Sequence, residues 1–301
     1  MRVLITGGSG FVGQRLCQRL NALGHAVQVV SRTPHKVRER LPGCDIRDSA
    51  QAFIDAPPEA IVNLAGEPIA AKRWSATQKR RLLDSRLEAT AQLVVLCQQL
   101  AANGQALPRV AVSGSAMGYY GDQGELEVRE ETPPHPEFAH RLCAEWEAAA
   151  KPLSELGIRL ALLRTGLVFD AGGGSLEKML PPFKLGLGAR LGSGRQFMPW
   201  IHRDDLVEAI VFLLENEALA GPFNASAPHP VTNAEFTRTL AHTLKRPALF
   251  VAPAFVLKVA LGEMSRLLLT GADMRPARLQ AAGFTFRYPT LDTALSEILA
   301  R

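Results

Sequence analysis

Five short runs along this chain are almost wholly apolar and end in small or polar residues: 3–6, 26–31, 60–65, 109–113 and 159–165. Such runs, rich in Val, Ile and Leu, predict strands buried on both faces, as in a parallel sheet. Between them, residues 11–23, 77–103 and 140–156 carry apolar positions at three- and four-residue spacing, which predicts helices with one buried face. Strand and helix alternate, and sheets built that way hold ligands at the carboxyl ends of their strands.

After Thr165 the pattern changes. Gly172, Gly173 and Gly174 open a loop-rich excursion that also holds Pro181, Pro182, Gly186, Gly188, Gly192 and Gly194. The chain is expected to return to the sheet through Met198 to Ile201 and a helix over 204–215, and to leave it near Ala225. Further helices are expected over 233–245, with Thr232 as N-cap, over 253–269 and over 291–299. The resulting fold class is α/β: a Rossmann-type doubly wound parallel sheet with a small, mainly helical C-terminal lobe. The sheet domain takes residues 1–165, completed by about 196–225, and the lobe takes 166–195 plus 226–301.

The composition narrows the class of partner. A length of 301 residues allows one large core with an appended lobe. The net charge of +5 is scattered, and neither Lys79-Arg80-Arg81 nor Arg38-Glu39-Arg40 is interleaved with aromatics, so no nucleic-acid partner is expected. Cys17, Cys44, Cys97 and Cys143 are far apart in sequence with no C-x-x-C pair and no His at metal-ligand spacing, so neither a zinc site nor a disulfide framework is expected, and free thiols point to the cytoplasm. Met1 and Arg2 lead straight into a predicted strand, so no signal peptide is expected. The longest apolar stretch, 248–261, is broken by Pro253 and Lys258, so no membrane partner is expected either. What remains is a small-molecule ligand, with the chain a monomer or homodimer.

The ligand's first half is written in residues 7–13, GGSGFVG, which follow a strand and open a helix. Glycines let the backbone approach a pyrophosphate, and the N–H groups and dipole of the helix N-terminus attract it. Gly7, Ser9, Gly10, Phe11, Val12 and Gly13 are therefore candidate cofactor contacts. At the end of the second strand, where an NAD site places a carboxylate on the ribose hydroxyls, the chain reads Ser31-Arg32-Thr33. Arg32 can clamp a 2′-phosphate with its planar fork and Ser31 can donate to it, so the expected cofactor is NADP.

With that loop, Asn63-Leu64-Ala65-Gly66, Ser113-Gly114-Ser115 and Tyr119-Tyr120-Gly121 in order, the chain resembles the extended short-chain dehydrogenase/reductases. NLAGEPIAAKRW (63–74), SGSAMGYYG (113–121), CAEWE (143–147), LPPFKLGLG (180–188), GSGRQFMPWIH (192–202) and AAGFTFRYP (281–289) more closely resemble an atypical branch, the epimerase family proteins. The resemblance spans nearly the whole chain. It implies NADP binding, with Leu64, Ala65, Gly66 and Ser113 along the cofactor and Arg86 and Arg164 toward the cofactor or a substrate phosphate. It implies an NADP-dependent oxidoreductase or epimerase acting on a small anionic carbonyl or hydroxyl compound. Some relatives have been linked to cell or plastid division, which keeps open a non-catalytic NADP-binding protein that presents a surface to a partner.

The chain departs from the superfamily at its proton relay, a Tyr with a Lys four residues later. The corresponding stretch reads Pro136-Glu137-Phe138-Ala139-His140-Arg141-Leu142 and holds neither. Ser115, Tyr119, Tyr120 and His140 are the candidates to replace it, with Glu131 another titratable group nearby; His is the natural acid–base group near neutrality. Lys178, Lys184, Arg190 and Arg195 put positive charge on the excursion, which is placed to cover the cofactor's open side. Asp204 and Asp205 are read first as helix caps.

Overall fold

A computed structural model describes residues 1–300. Seven parallel strands make the central sheet: β1 (Arg2–Thr6), β2 (Ala26–Val30), β3 (Cys44–Arg47), β4 (Ala60–Asn63), β5 (Val110–Ala116), β6 (Arg159–Thr165) and β7 (Gly221–Ala225). Their order is β7-β6-β5-β4-β1-β2-β3, so the chain reverses direction across the sheet between β1 and β4. That switch point is where a crevice opens at the strand ends.

The strands' apolar runs bury on both faces, as their composition requires. Val3, Ile5, Val27, Val29, Val62 and Val112 face one layer, where Leu16, Cys17 and Leu20 of helix α1 (Phe11–Ala22) cover them. Leu4, Ile61 and Ala111 face the other. There, helix α2 (Ala76–Ala102) contributes Leu93, Leu96, Cys97 and Leu100. Ser75 starts α2 by accepting the Gln78 N–H at 3.1 Å. Helix α3 (Phe138–Glu155) turns Ala139, Leu142, Cys143, Trp146, Ala150 and Leu153 inward.

Four elements differ from the pattern reading. Met198 to Ile201 does not rejoin the main sheet: Phe197–Met198 pairs with Val231–Thr232, and Trp200–His202 pairs with Leu167–Phe169. The seventh strand is instead Gly-Pro-Phe-Asn-Ala, an edge strand beside β6, where a proline is tolerated. The excursion contains a helix, Gly174–Lys184, despite Pro181 and Pro182. Proline loses its N–H but keeps its carbonyl, and these two accept from Leu185 (3.2 Å) and Leu187 (2.8 Å). The helix expected over 253–269 breaks into Ala254–Leu261, a 3-10 turn and Arg266–Leu269, because Gly262 adopts φ +60°.

A second core is centred on Phe169, Trp200, Phe183 and Phe236 and closed by Leu291, Leu295 and Ile298 of the last helix. Asp204 and Asp205 lie inside the first turn of helix Arg203–Glu215 and do not cap it. The cap is His202, whose Nδ1 accepts the Asp204 N–H at 3.1 Å. Asp204 instead pairs with Arg15 at 2.7 Å, and Asp205 accepts the backbone N–H groups of Arg287 (2.8 Å) and Tyr288 (2.9 Å). Both aspartates thus hold separate parts of the chain together. Among the described residues no helix is long and apolar enough to cross a membrane.

Candidate functional site

The glycine loop forms a cradle that side chains would fill. Gly7 has φ +73°, and a Cβ there would lie 2.7 Å from the Leu64 carbonyl. A Cβ on Gly13 would stand 2.2 Å from the Gly7 carbonyl oxygen, which already accepts the Gly10 N–H at 2.9 Å. Gly10 is the N-cap of α1 in extended backbone, and no side chain caps the helix. First-turn N–H groups so left are an anion site by geometry and by dipole. Phe11 is held from the far side, by Gly173 and Gly174 against its ring and by the Arg203 guanidinium 4.9 Å above it. Ser9 and Val12 are half-buried.

A ladder of polar side chains fixes the neighbouring loop. The Thr6 hydroxyl donates to Asn63 Oδ1 (2.6 Å) and accepts the Ala65 N–H (3.3 Å). Asn63 Nδ2 in turn donates to Thr90 (2.8 Å) and to Ser113 Oγ (3.3 Å). Ser113, which the family resemblance placed along the cofactor, is buried and ties strand ends together. Leu64 and Ala65 are half-buried on the loop and Gly66 is exposed. Arg86 braces this loop from below, donating to the carbonyls of Leu82 (2.7 Å) and Glu67 (3.2 Å) and lying 5.0 Å from the Trp146 ring. Burial draws its pKa below the usual arginine value. At the end of β2, Ser31 is buried and accepts the Thr33 N–H, Arg32 is exposed, and no carboxylate occurs between Gly24 and Arg38.

The side of the crevice expected to hold the proton relay is built differently. Arg164, on β6, is buried and bonds Glu147 of α3 through two nitrogens, Nε at 2.8 Å and Nη2 at 3.0 Å. Its Nη1 donates to the Tyr120 hydroxyl oxygen (3.0 Å) and the Glu130 carbonyl (2.9 Å). The Tyr120 hydroxyl donates to Asn224 of β7 at 2.6 Å, and the Asn224 N–H returns to the Glu130 carboxylate at 3.0 Å. Ser115 donates to Glu147 at 2.7 Å.

Three readings change as a result. Arg164 is an ion-pair partner in a buried cluster and not a free phosphate ligand. Tyr120 is fully buried and pushed up to about 12, chiefly by burial, so its hydroxyl is locked in its protonated form near neutrality. Ser115 has its one proton on Glu147 and is itself buried, beside a Cys143 thiol that burial raises to about 11. The sequence carried one sign of this cluster: Glu147 lies four residues after Cys143, on the inward stripe of α3, where an unpaired charge is costly.

Tyr119 and His140 are the half-buried remainder. The Arg164 guanidinium lies 3.4 Å from the centre of the Tyr119 ring, and the His140 ring meets that ring edge-on at 5.3 Å. His140 Nδ1 is 2.7 Å from the Tyr119 carbonyl oxygen, which can only accept, so Nδ1 carries the proton. Where the superfamily's tyrosine would stand, Phe138 packs edge-on to Trp74 at 4.9 Å with Lys79 over its ring, while Glu137 pairs with Arg266. The excursion's Lys178, Lys184 and Arg190 are exposed, and Arg195 pairs with Glu125 at 2.6 Å. Glu131 is exposed.

Residues 3–225 match the NAD dependent epimerase/dehydratase family, and residues 252–298 match a domain of unknown function, DUF1731. The chain is similar to the chloroplastic epimerase family protein SDR39U1 homolog of Arabidopsis thaliana, 37% identical over 305 residues that cover 99% of this chain and 87% of that one. Among solved structures it is similar to human epimerase family protein SDR39U1 with NADPH, at 37% identity and TM-score 0.89 over 100% of both chains. The Thermus thermophilus UDP-glucose 4-epimerase complex with NAD, 21% identical, shares the fold at TM-score 0.77 over 100% of this chain and 98% of that one. On its fold and on these matches, the chain belongs to the NAD dependent epimerase/dehydratase family.

Proposed function

We propose that this protein is an NADP-dependent oxidoreductase or epimerase of the extended short-chain dehydrogenase/reductase type, acting on a carbonyl or hydroxyl of a small anionic molecule. One observation carries the reading: a glycine cradle with an uncapped helix N-terminus, followed at the end of β2 by an exposed arginine and no carboxylate. The NADPH in the similar human structure supports it. In this reading residues 1–165 with 196–225 bind the cofactor, and 166–195 with 226–301 bind the substrate.

The backbone of Gly7, Ser9, Gly10, Phe11, Val12 and Gly13 would hold the pyrophosphate, Ser31 and Arg32 the 2′-phosphate, and Leu64, Ala65 and Gly66 the face of the cofactor. When bound, NADP supplies or takes up hydride. The proton falls to His140 and Tyr119: with Nδ1–H held by the Tyr119 carbonyl, the neutral ring keeps its lone pair on Nε2, the tautomer of a general base. The excess of lysine and arginine over 172–202 supports an anionic substrate. The four free cysteines support a reducing compartment, the cytoplasm.

The closed cluster around Ser115, Tyr120 and Arg164 favours a second reading, a non-catalytic NADP-binding protein whose cofactor stabilises a surface for a partner. One experiment separates the two. Protein loaded with NADPH is mixed with fractionated small-molecule extract, following nicotinamide absorbance and, by NMR, any epimerised product. Conversion in a fraction that His140→Ala abolishes supports the enzyme; tight NADPH binding with no conversion of either kind supports the second reading.

A further inference from the structure

Part of the C-terminal lobe carries an apolar pattern that the fold leaves in solvent. Helix Ala254–Leu261 reads Ala-Phe-Val-Leu-Lys-Val-Ala-Leu, yet none of its residues is buried. Phe255 is 69% and Val259 77% exposed. The strand before it, Phe250–Ala252, pairs in parallel with Ala189–Leu191. That pairing sets Leu249, 85% exposed, near the loop bearing Leu185, 74% exposed, and Gly186 of that loop lies against Pro247. Two distant segments thus form one apolar ridge, and a solvent-exposed patch of this kind marks an interaction site.

The two segments that form the ridge carry charge of one sign, with the acidic residues Glu177 and Glu263 just beyond their ends and Glu125 paired with Arg195. Neither residues 178–195 nor residues 245–262 include an aspartate or glutamate. Lys184, Arg190, Lys245, Arg246 and Lys258 are all exposed. A second copy docking on this face by a two-fold axis would bring these cations against themselves. A lipid surface meets no such repulsion: apolar side chains enter the boundary between headgroups and acyl chains, and the surrounding lysines and arginines meet anionic headgroups.

We propose that the ridge formed by 185–187 and 249–261 is a peripheral docking surface for anionic lipid bilayers. Pro253 and Lys258 exclude a spanning helix, and so the apolar stretch did not point to a membrane partner, but they do not hinder a helix lying in the interface. The proposal is independent of the cofactor reading, since the ridge shares no residue with the glycine loop or with the Ser115 cluster.

Co-sedimentation of the full chain with vesicles tests it, using phosphatidylcholine alone or with about one-third phosphatidylglycerol. The protein should pellet with the anionic vesicles, and about tenfold more weakly with the neutral ones or in high salt. Phe255→Glu with Val259→Glu, and separately Lys245→Glu with Arg246→Glu, should each weaken binding about tenfold. Both pairs are exposed, so circular dichroism and NADPH binding should stay as in the parent. The proposal is overturned if anionic vesicles do not pellet the protein, if both variants bind as the parent does, or if the variants dissolve a dimer that never binds vesicles.

Discussion

The glycine loop and the Ser115 cluster lie at the same end of one sheet, yet they are built by opposite means. The first is backbone: small residues, N–H groups that no side chain caps, and a turn that Gly7 and Gly13 alone permit. The second is side chains, each closed on another: Ser115 on Glu147, Glu147 on Arg164, Arg164 on Tyr120, Tyr120 on Asn224. The open half is shaped to receive an anion, while the closed half holds β5, β6, β7 and α3 together around a buried charge pair. A shared position in the fold therefore does not mean a shared role, and in the function proposed above the acid–base groups are Tyr119 and His140, outside the cluster.

The difference can be broken from either side. The largest effect is expected from Glu147→Ala, which strands the Arg164 guanidinium in a buried site and should cost about 3–5 kcal/mol of stability in denaturant unfolding. Removing both charges with Glu147→Leu and Arg164→Met should cost much less. Next, Gly13→Ala drives a methyl into the Gly7 carbonyl and should weaken NADPH binding roughly a hundredfold, about 2.7 kcal/mol, in a fluorescence titration. Arg32→Ala should then lower NADPH affinity about tenfold and leave NADH affinity unchanged, because only NADPH carries the 2′-phosphate.

The smallest change is Tyr120→Phe, which should cost about 1 kcal/mol through the lost bonds to Asn224 and Arg164, with cofactor affinity unaltered. The same hydroxyl sets a sign at high pH. Its folded pKa is raised from 10.0 to about 12, so its stabilising contribution is complete below about 10 and is lost as pH rises through about 12. An ultraviolet titration of the three tyrosines should find one ionising at about 12, and Tyr120→Phe should remove that step.

How much of this was legible in the sequence follows from the same contrast. The cradle lies within seven consecutive residues, and the strands that flank it bury on both faces, so periodicity and spacing were enough to find them. The short edge strand Cys44–Arg47 buries only Ile46, and Gly221–Ala225 begins Gly-Pro, so neither shows an apolar run. The closed cluster joins Ser115 to Glu147 across 32 residues and Tyr120 to Asn224 across 104. No local pattern encodes such pairs, and so Arg164, Tyr120 and Ser115 read as free groups until the fold showed their partners. Glu147 alone was marked, by standing on an apolar stripe.

Cofactor binding is expected to be separate from the buried charge cluster. The most direct measurement of that separation is an NADPH titration of the Glu147→Leu, Arg164→Met double variant, with circular dichroism confirming the fold. An affinity within about twofold of the parent is expected, because neither residue faces the cofactor in this account. A loss of about tenfold or more in a folded variant would contradict it and return Arg164 to the phosphate site.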